Sequence, residues 1–122
     1  MNREIVQRFF AASERGDMAE LLALTDDEMV MTWPQSGEEF RGRDNVIGAM
    51  AAVEVKPQFA GEPRLVGSGS VWVLMVPLRY GDEVVQYVAV LELNQGRIRR
   101  ATGYWGSPFD AQDARAGFTA SA

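Results

Sequence analysis

Between Ser70 and Trp105 the chain carries three stretches of strand-like period: "SVWVLMVPLRY", "EVVQYVAVLEL" and "RIRRATGYW". The joints between them are Gly81-Asp82 and Asn94-Gln95-Gly96. Connections this short join only antiparallel neighbours, because a parallel crossover needs a dozen or more residues. Glycine, asparagine and aspartate also supply the backbone angles that hairpin turns demand. The run therefore predicts an antiparallel meander. In "EVVQYVAVLEL" both alternating sets are apolar, Val85-Tyr87-Ala89-Leu91 on one face and Val84-Val88-Val90 on the other. One face can take helices; the other needs a second cover, and another copy of the same sheet supplies it, so a homodimer is expected.

The first half has the other period. Ile5, Val6, Phe9 and Phe10 recur at helical spacing, Gly16 stops that helix, and Asp17 is placed to cap the next, "MAELLALT". A turn at Asp26-Asp27 leads into a strand, "EMVMTW", closed by Pro34, and "PQSGEEFRG" reads as loop. A third helix follows in "RDNVIGAMAAVE", with Asp44 near its positive end. "QFAGEPRLVGSG" reads as one weak strand kinked at Pro63. Pro77 suggests an edge or a bulge, and the Ala-rich stretch after Phe109 one helical turn at most. Helices first and a meander afterwards is an α+β layout, and 122 residues make a single domain, 1–122.

Composition narrows the chemistry. There is no cysteine and no histidine. That excludes disulfides, thiolate nucleophiles, imidazole bases and the common transition-metal ligand sets, so neither a cofactor nor a metal is expected. Catalysis here must run on Asp, Glu, Tyr, Lys, Arg, Ser or Thr. A net charge of −5 argues against a nucleic-acid partner, and Arg97, Arg99 and Arg100 read as a solvated strand edge. No run approaches the ~18 apolar residues of a membrane span, and "MNREIVQRFF" lacks a signal-peptide pattern, so a cytoplasmic location is expected.

Three segments carry a family resemblance. "FRGRDNVIGAM" is similar to an aromatic-x-Gly-Arg lead into a third helix, "LELNQGRIRRATGYW" to a last hairpin, and "YWGSPFDA" to the exit from it. Together they resemble the SnoaL-like, nuclear transport factor 2-like family of small cones. The resemblance implies three N-terminal helices packed in the concave face of a curved, mostly antiparallel sheet, with an internal pocket. Members use that pocket for isomerase, cyclase, dehydratase or epoxide hydrolase chemistry, or only to bind. Members with acid chemistry tend to carry an Asp at the position of Gly103, and many bacterial relatives an acid at that of Ala101. This sequence has neither carboxylate.

The pocket face follows from the hairpin register. A three-residue loop with Gly96 at a left-handed bulge pairs Leu93 with Arg97, and hence Tyr87 with Gly103. A two-residue loop would shift the pairing by one and turn Val88 and Glu92 inward. The bulged loop is the expected one, because Asn-Gln is a poor type I′ pair. One face then reads Arg99, Ala101, Gly103 and Trp105 beside Tyr87, Ala89 and Leu91. Gly103 makes room there for Tyr87 or for a ligand beside it.

Trp33, Trp72, Tyr87, Gly103 and Trp105 are thus candidate ligand-binding residues, each aromatic having core filling as its alternative role. Tyr87 with Glu38 or Glu39 is the candidate catalytic set, although a solvated loop is the plainer reading of the two glutamates. Asp26 and Asp27 are turn acids. The expected function is binding of a small hydrophobic or aromatic molecule. Isomerase, cyclase, hydratase or epoxide-hydrolase chemistry is the second expectation, and a dimeric scaffold without a site the third.

Overall fold

The structure, a computed structural model, describes residues 1–53 and 55–120. Its chain order is α1 (Asn2–Arg15), α2 (Met18–Leu24), β1 (Thr25–Trp33), β2 (Glu38–Arg41), α3 (Arg43–Ala51), β3 (Gln58–Phe59), β4 (Arg64–Ser68), β5 (Val71–Tyr80), β6 (Glu83–Asn94), β7 (Arg97–Gly106) and a 3-10 helix, Asp113–Phe118. The strands form one sheet in the order β2-β1-β7-β6-β5-β3, with β4 also on β5. All neighbours are antiparallel except β1 and β7, so the sheet is mixed. This is an α+β architecture with a curved, unclosed sheet. Of its helices only α1 is long; α2 and α3 are short, which modifies the expectation of three comparable helices in the concave face.

Helix α1 buries Val6, Phe9 and Phe10 on one stripe, against the concave side of the sheet. It stops at Gly16, whose φ of 72° a side chain would strain, and whose turn lets the Asp17 N–H reach the Ala12 carbonyl at 2.9 Å. Asp17 then caps α2, its carboxylate accepting from the Glu20 N–H at 3.1 Å. That bond and Arg15 hold the Asp17 carboxyl below its usual range. The Gly-Arg pair of "FRGRDN" works in the same structural way. The Gly42 N–H reaches the Met29 carbonyl at 2.7 Å, and Arg43 forms an ion pair with Asp27 at 3.0 Å, tying α3 to β1.

Four sequence expectations change. Asp26-Asp27 lies inside β1, where the register against β7 is irregular between Thr25 and Val30. Glu38–Arg41, expected as loop, is a strand paired to β1, Trp33 facing Glu38 and Thr32 facing Glu39. The kinked strand divides into β3 and β4 on either side of Pro63, and both pair with β5. Pro77 falls in the gap between them, where its carbonyl accepts from the Ala60 N–H at 2.8 Å. Its missing N–H points to that same gap, so no ladder bond is lost. The third helix ends at Ala51, and Glu54 lies outside the described residues.

The last hairpin differs most instructively. Its turn is the two-residue Gln95-Gly96, both with positive φ (51° and 76°), closing the pair Asn94 and Arg97. A two-residue turn alone would have inverted the faces. A bulge at Arg99, between Glu92 and Leu93 in the ladder, restores them, and Arg99 donates to the Glu28 carbonyl on β1. Beyond the bulge Leu91 faces Ala101, Ala89 faces Gly103 and Tyr87 faces Trp105. Arg99, expected on the concave face, is displaced by the bulge, and Ile98 opposite Leu93 is the buried residue there; the other residues sharing that face are those expected, with cross-strand partners two residues away.

Candidate functional site

Alternation along β5 turns Trp72, Leu74, Val76, Leu78 and Tyr80 to the concave side, and along β6 Tyr87, Ala89 and Leu91. Between this face and α1 lies a cavity of about 150 Å³. Phe9 and Phe10 of α1 form one wall, while Met31, Trp33, Leu78, Tyr80, Tyr87, Leu91, Ala101 and Trp105 form the sheet side. Its remaining side is the segment after α3, through Val53, Lys56, Pro57 and Phe59. That segment is tied to α1 by the Phe59 N–H donating to a Glu14 carboxylate oxygen at 2.9 Å. A shallower depression adjoins it along Gln35, Ser36 and Glu38.

Trp105 organises the end of the cavity that adjoins this depression. Its ring lies 5.3 Å from that of Trp33, edge to face, and 5.1 Å from that of Tyr87. Its indole N–H donates to the Tyr80 hydroxyl at 2.9 Å. Its backbone is gripped by one side chain, Gln35, which accepts from the Trp105 N–H at 2.6 Å and donates to the Trp105 carbonyl. The glycine beneath is explained by this ring. A Cβ on Gly103 would stand 3.2 Å from the far edge of the Trp105 indole and 3.5 Å from the Tyr87 ring. Gly103 is buried and makes room mainly for Trp105, with Tyr87 second.

The polar inventory inside is small. Burial pushes the Tyr87 phenol well above its ordinary range, and the neighbouring Tyr80 adds to the effect. Tyr80 is raised for the same reason, in part offset by the Trp105 hydrogen bond. Both phenols are therefore protonated at neutral pH. Because the Tyr80 oxygen already accepts from Trp105, its own proton is directed elsewhere. Among the described residues the Tyr87 hydroxyl has no hydrogen-bond partner in the protein. The arrangement offers two neutral donors in an apolar, aromatic chamber.

The other candidates lie apart from these donors. Trp72 is in the core, its N–H held by the Gly69 carbonyl at 3.0 Å and the Arg3 guanidinium 5.8 Å over its ring; it does not line the cavity. Glu38 and Glu39 are exposed on β2 and, being adjacent on a strand, point to opposite faces. Glu38 borders the outer depression, and Glu39 pairs with Arg41 at 2.7 Å. Sequence reasoning passed over Tyr80, Gln35 and Glu14. Tyr80 was within reach, since it continues the even-numbered alternation that begins at Trp72. Gln35 and Glu14 gave no local signal, because their partners are 70 and 45 residues away.

A family model described as a SnoaL-like domain matches residues 6–101. No curated protein matches the chain in sequence. Among solved structures, a nuclear transport factor 2-like protein of unknown function from Burkholderia xenovorans is 28% identical with a TM-score of 0.87, over 99% of this chain and 94% of that one. A protein from Kribbella flavida, provisionally named a ketosteroid isomerase, is 22% identical with a TM-score of 0.90, over 99% of this chain and 89% of that one. A protein from Pseudomonas putida, provisionally named a polyketide cyclase, is 20% identical with a TM-score of 0.76, over 87% and 92%.

Proposed function

Since this chain belongs to the SnoaL-like domain family, and since the matched span contains Tyr80 and Tyr87, we propose that it binds a small, largely apolar molecule carrying one neutral acceptor oxygen. The observation behind this reading is the pairing of an apolar, aromatic-walled cavity with two protonated phenols. Trp33 and Trp105 stack the ring, and the Tyr80 and Tyr87 hydroxyls donate to the oxygen. An apolar cavity near 150 Å³ has room for a molecule the size of benzene, and this one is partly open. The expected ligand therefore has at least one ring in the cavity, with any further part in the adjoining depression.

Catalysis is the second reading, favoured by the names of the Kribbella and Pseudomonas structures. It needs a base beside the donors. Among the described residues the carboxylate that lines the cavity wall is Glu14, already engaged by the Phe59 N–H. Binding is accordingly preferred. The same reading takes the protein to be a homodimer through the outer face of the sheet. There Val73, Met75, Val88 and Val90 form a half-buried apolar band, and Val66 and Tyr104 are 40% and 42% exposed.

The test is a matched pair of probes, 1-indanone and indane, titrated by calorimetry or by tryptophan fluorescence. The ketone is expected to bind about 2- to 10-fold tighter, the worth of one net hydrogen bond. Tyr87→Phe should reduce that preference without reducing indane binding. Absence of binding by either probe at millimolar concentration would overturn the reading. Turnover of cyclic ketones or epoxides that disappears in Tyr87→Phe would replace it with catalysis.

A further inference from the structure

After Gly106 the chain leaves the sheet, and every residue from Ser107 to Ala120 is exposed. Among the described residues this arm makes one hydrogen bond to the body, from Ser107 to Glu83 at 3.4 Å. Its own bonds are local: the Arg115 N–H to the Gln112 carbonyl at 3.0 Å and the Thr119 hydroxyl to the Ala116 carbonyl at 3.1 Å. Yet the arm is regular, with a 3-10 helix over Asp113–Phe118, longer than such helices usually run without support. It also carries Phe109 and Phe118, which are 87% and 90% exposed. The chain's other phenylalanines, Phe9, Phe10, Phe40 and Phe59, are all packed into the core. An aromatic, regular segment that its own chain does not cover is built for contact with something else.

Two observations say what. The alignments with the Burkholderia and Kribbella structures cover 99% of this chain, which leaves no room to omit the arm. Both structures therefore carry chain that aligns with the arm. The second observation is charge. The arm is acidic, with Asp110 and Asp113 against Arg115. On the outer face of the sheet Arg64 sits opposite Met75 and Arg79 opposite Val84, so both guanidinium groups border the apolar band. Neither is in an ion pair among the described residues, whereas Arg41 and Arg100 on that face are paired.

We propose that the arm is an intersubunit clasp: Phe109 and Phe118 of one copy dock on the β4–β5 flank of a second copy, around Val66, Val73 and Met75, with Asp110 and Asp113 against Arg64 and Arg79. This rests on the homodimer read above and adds the arm to it. The test deletes residues 108–122 and compares dimer dissociation constants by sedimentation. Deletion should weaken the dimer at least tenfold while circular dichroism and the cavity's ligand binding are unchanged. In parallel, a photoreactive benzoylphenylalanine at position 118 is irradiated in a mixture of ¹⁵N-labelled and unlabelled protein. Cross-links between labelled and unlabelled peptides from residues 64–79 are expected. Arg64→Glu with Arg79→Glu should mimic the deletion. A dimer indifferent to the deletion, or cross-links only within one chain, overturns the clasp alone. A monomer at every concentration overturns the clasp and the dimer together.

Discussion

Filling the space at Gly103 tests the Trp105 end of the cavity most directly. The backbone there is extended, so a side chain brings steric and electrostatic cost without backbone strain. In Gly103→Ala the new methyl meets the indole edge of Trp105 at 3.2 Å, a few tenths of an ångström too close. That ring cannot swing freely, because Tyr80, Gln35, Trp33 and Tyr87 hold it from four sides. Overpacking of this kind costs about 1 kcal/mol at the low end. Against it, replacing glycine lowers the entropy of the unfolded chain by about 0.4–1 kcal/mol. The two nearly cancel, and the alanine variant should melt within about 4 °C of the parent.

Gly103→Asp is different. Its carboxylate would lie under Trp105 and Tyr87 with no cation beside it, and burial would raise its pKa. A rise of about 2–3 units corresponds to roughly 3–4 kcal/mol of lost stability at pH 7. The sign follows from the raised value. The penalty is absent below the unfolded pKa near 4, where the group is protonated in both states, and grows as pH rises through the folded pKa. Thermal melts of parent and variant at pH 4, 5, 6 and 7 should therefore diverge with increasing pH. An aspartate variant that melts within about 2 °C of the parent across this range would refute the reasoning and place a wet space at Gly103.

Other perturbations follow from the same geometry. The raised Tyr87 pKa favours the neutral phenol in the folded state; that stability is complete below the unfolded pKa of about 10 and lost as pH rises towards the folded value. An alkaline titration followed at 295 nm should show a late tyrosine step, coincident with unfolding and missing from Tyr87→Phe. Glu14→Ala should release the segment around Phe59, seen as faster hydrogen exchange at the Phe59 amide and faster ligand dissociation, with little change in melting temperature. Leu91 is 1% exposed in the core, so Leu91→Ala should cost about 2–5 kcal/mol in chemical denaturation; a cost below about 1 kcal/mol would mean that the site collapses. Light scattering should report about twice the 13.5 kDa chain mass, and a monomer would remove the outer-face dimer.

Much of the framework was written locally. The meander, the Gly16 stop and the Asp17 cap each depend on residues within a few positions of one another, where propensity and hydrogen-bond chemistry act without the rest of the chain. The concave set from Tyr87 to Leu91 and from Ala101 to Trp105 was legible for the same reason, because alternation is a property of a single strand. What alternation could not determine was the partner across the ladder. Gln95-Gly96 and the Arg99 bulge shift the register by two residues in all, leaving the faces as they were but setting Trp105 rather than Gly103 opposite Tyr87. Glu38–Arg41 has no strand signal of its own; four polar-rich residues become a strand because the edge of β1 offers unpaired backbone groups. The pairing of β1 with β7, Gln35 on the Trp105 backbone and Glu14 on the Phe59 N–H all join residues 45 to 73 positions apart. Such contacts become favourable only after the intervening chain has folded and met the entropy of closing the loop, so no local pattern announces them.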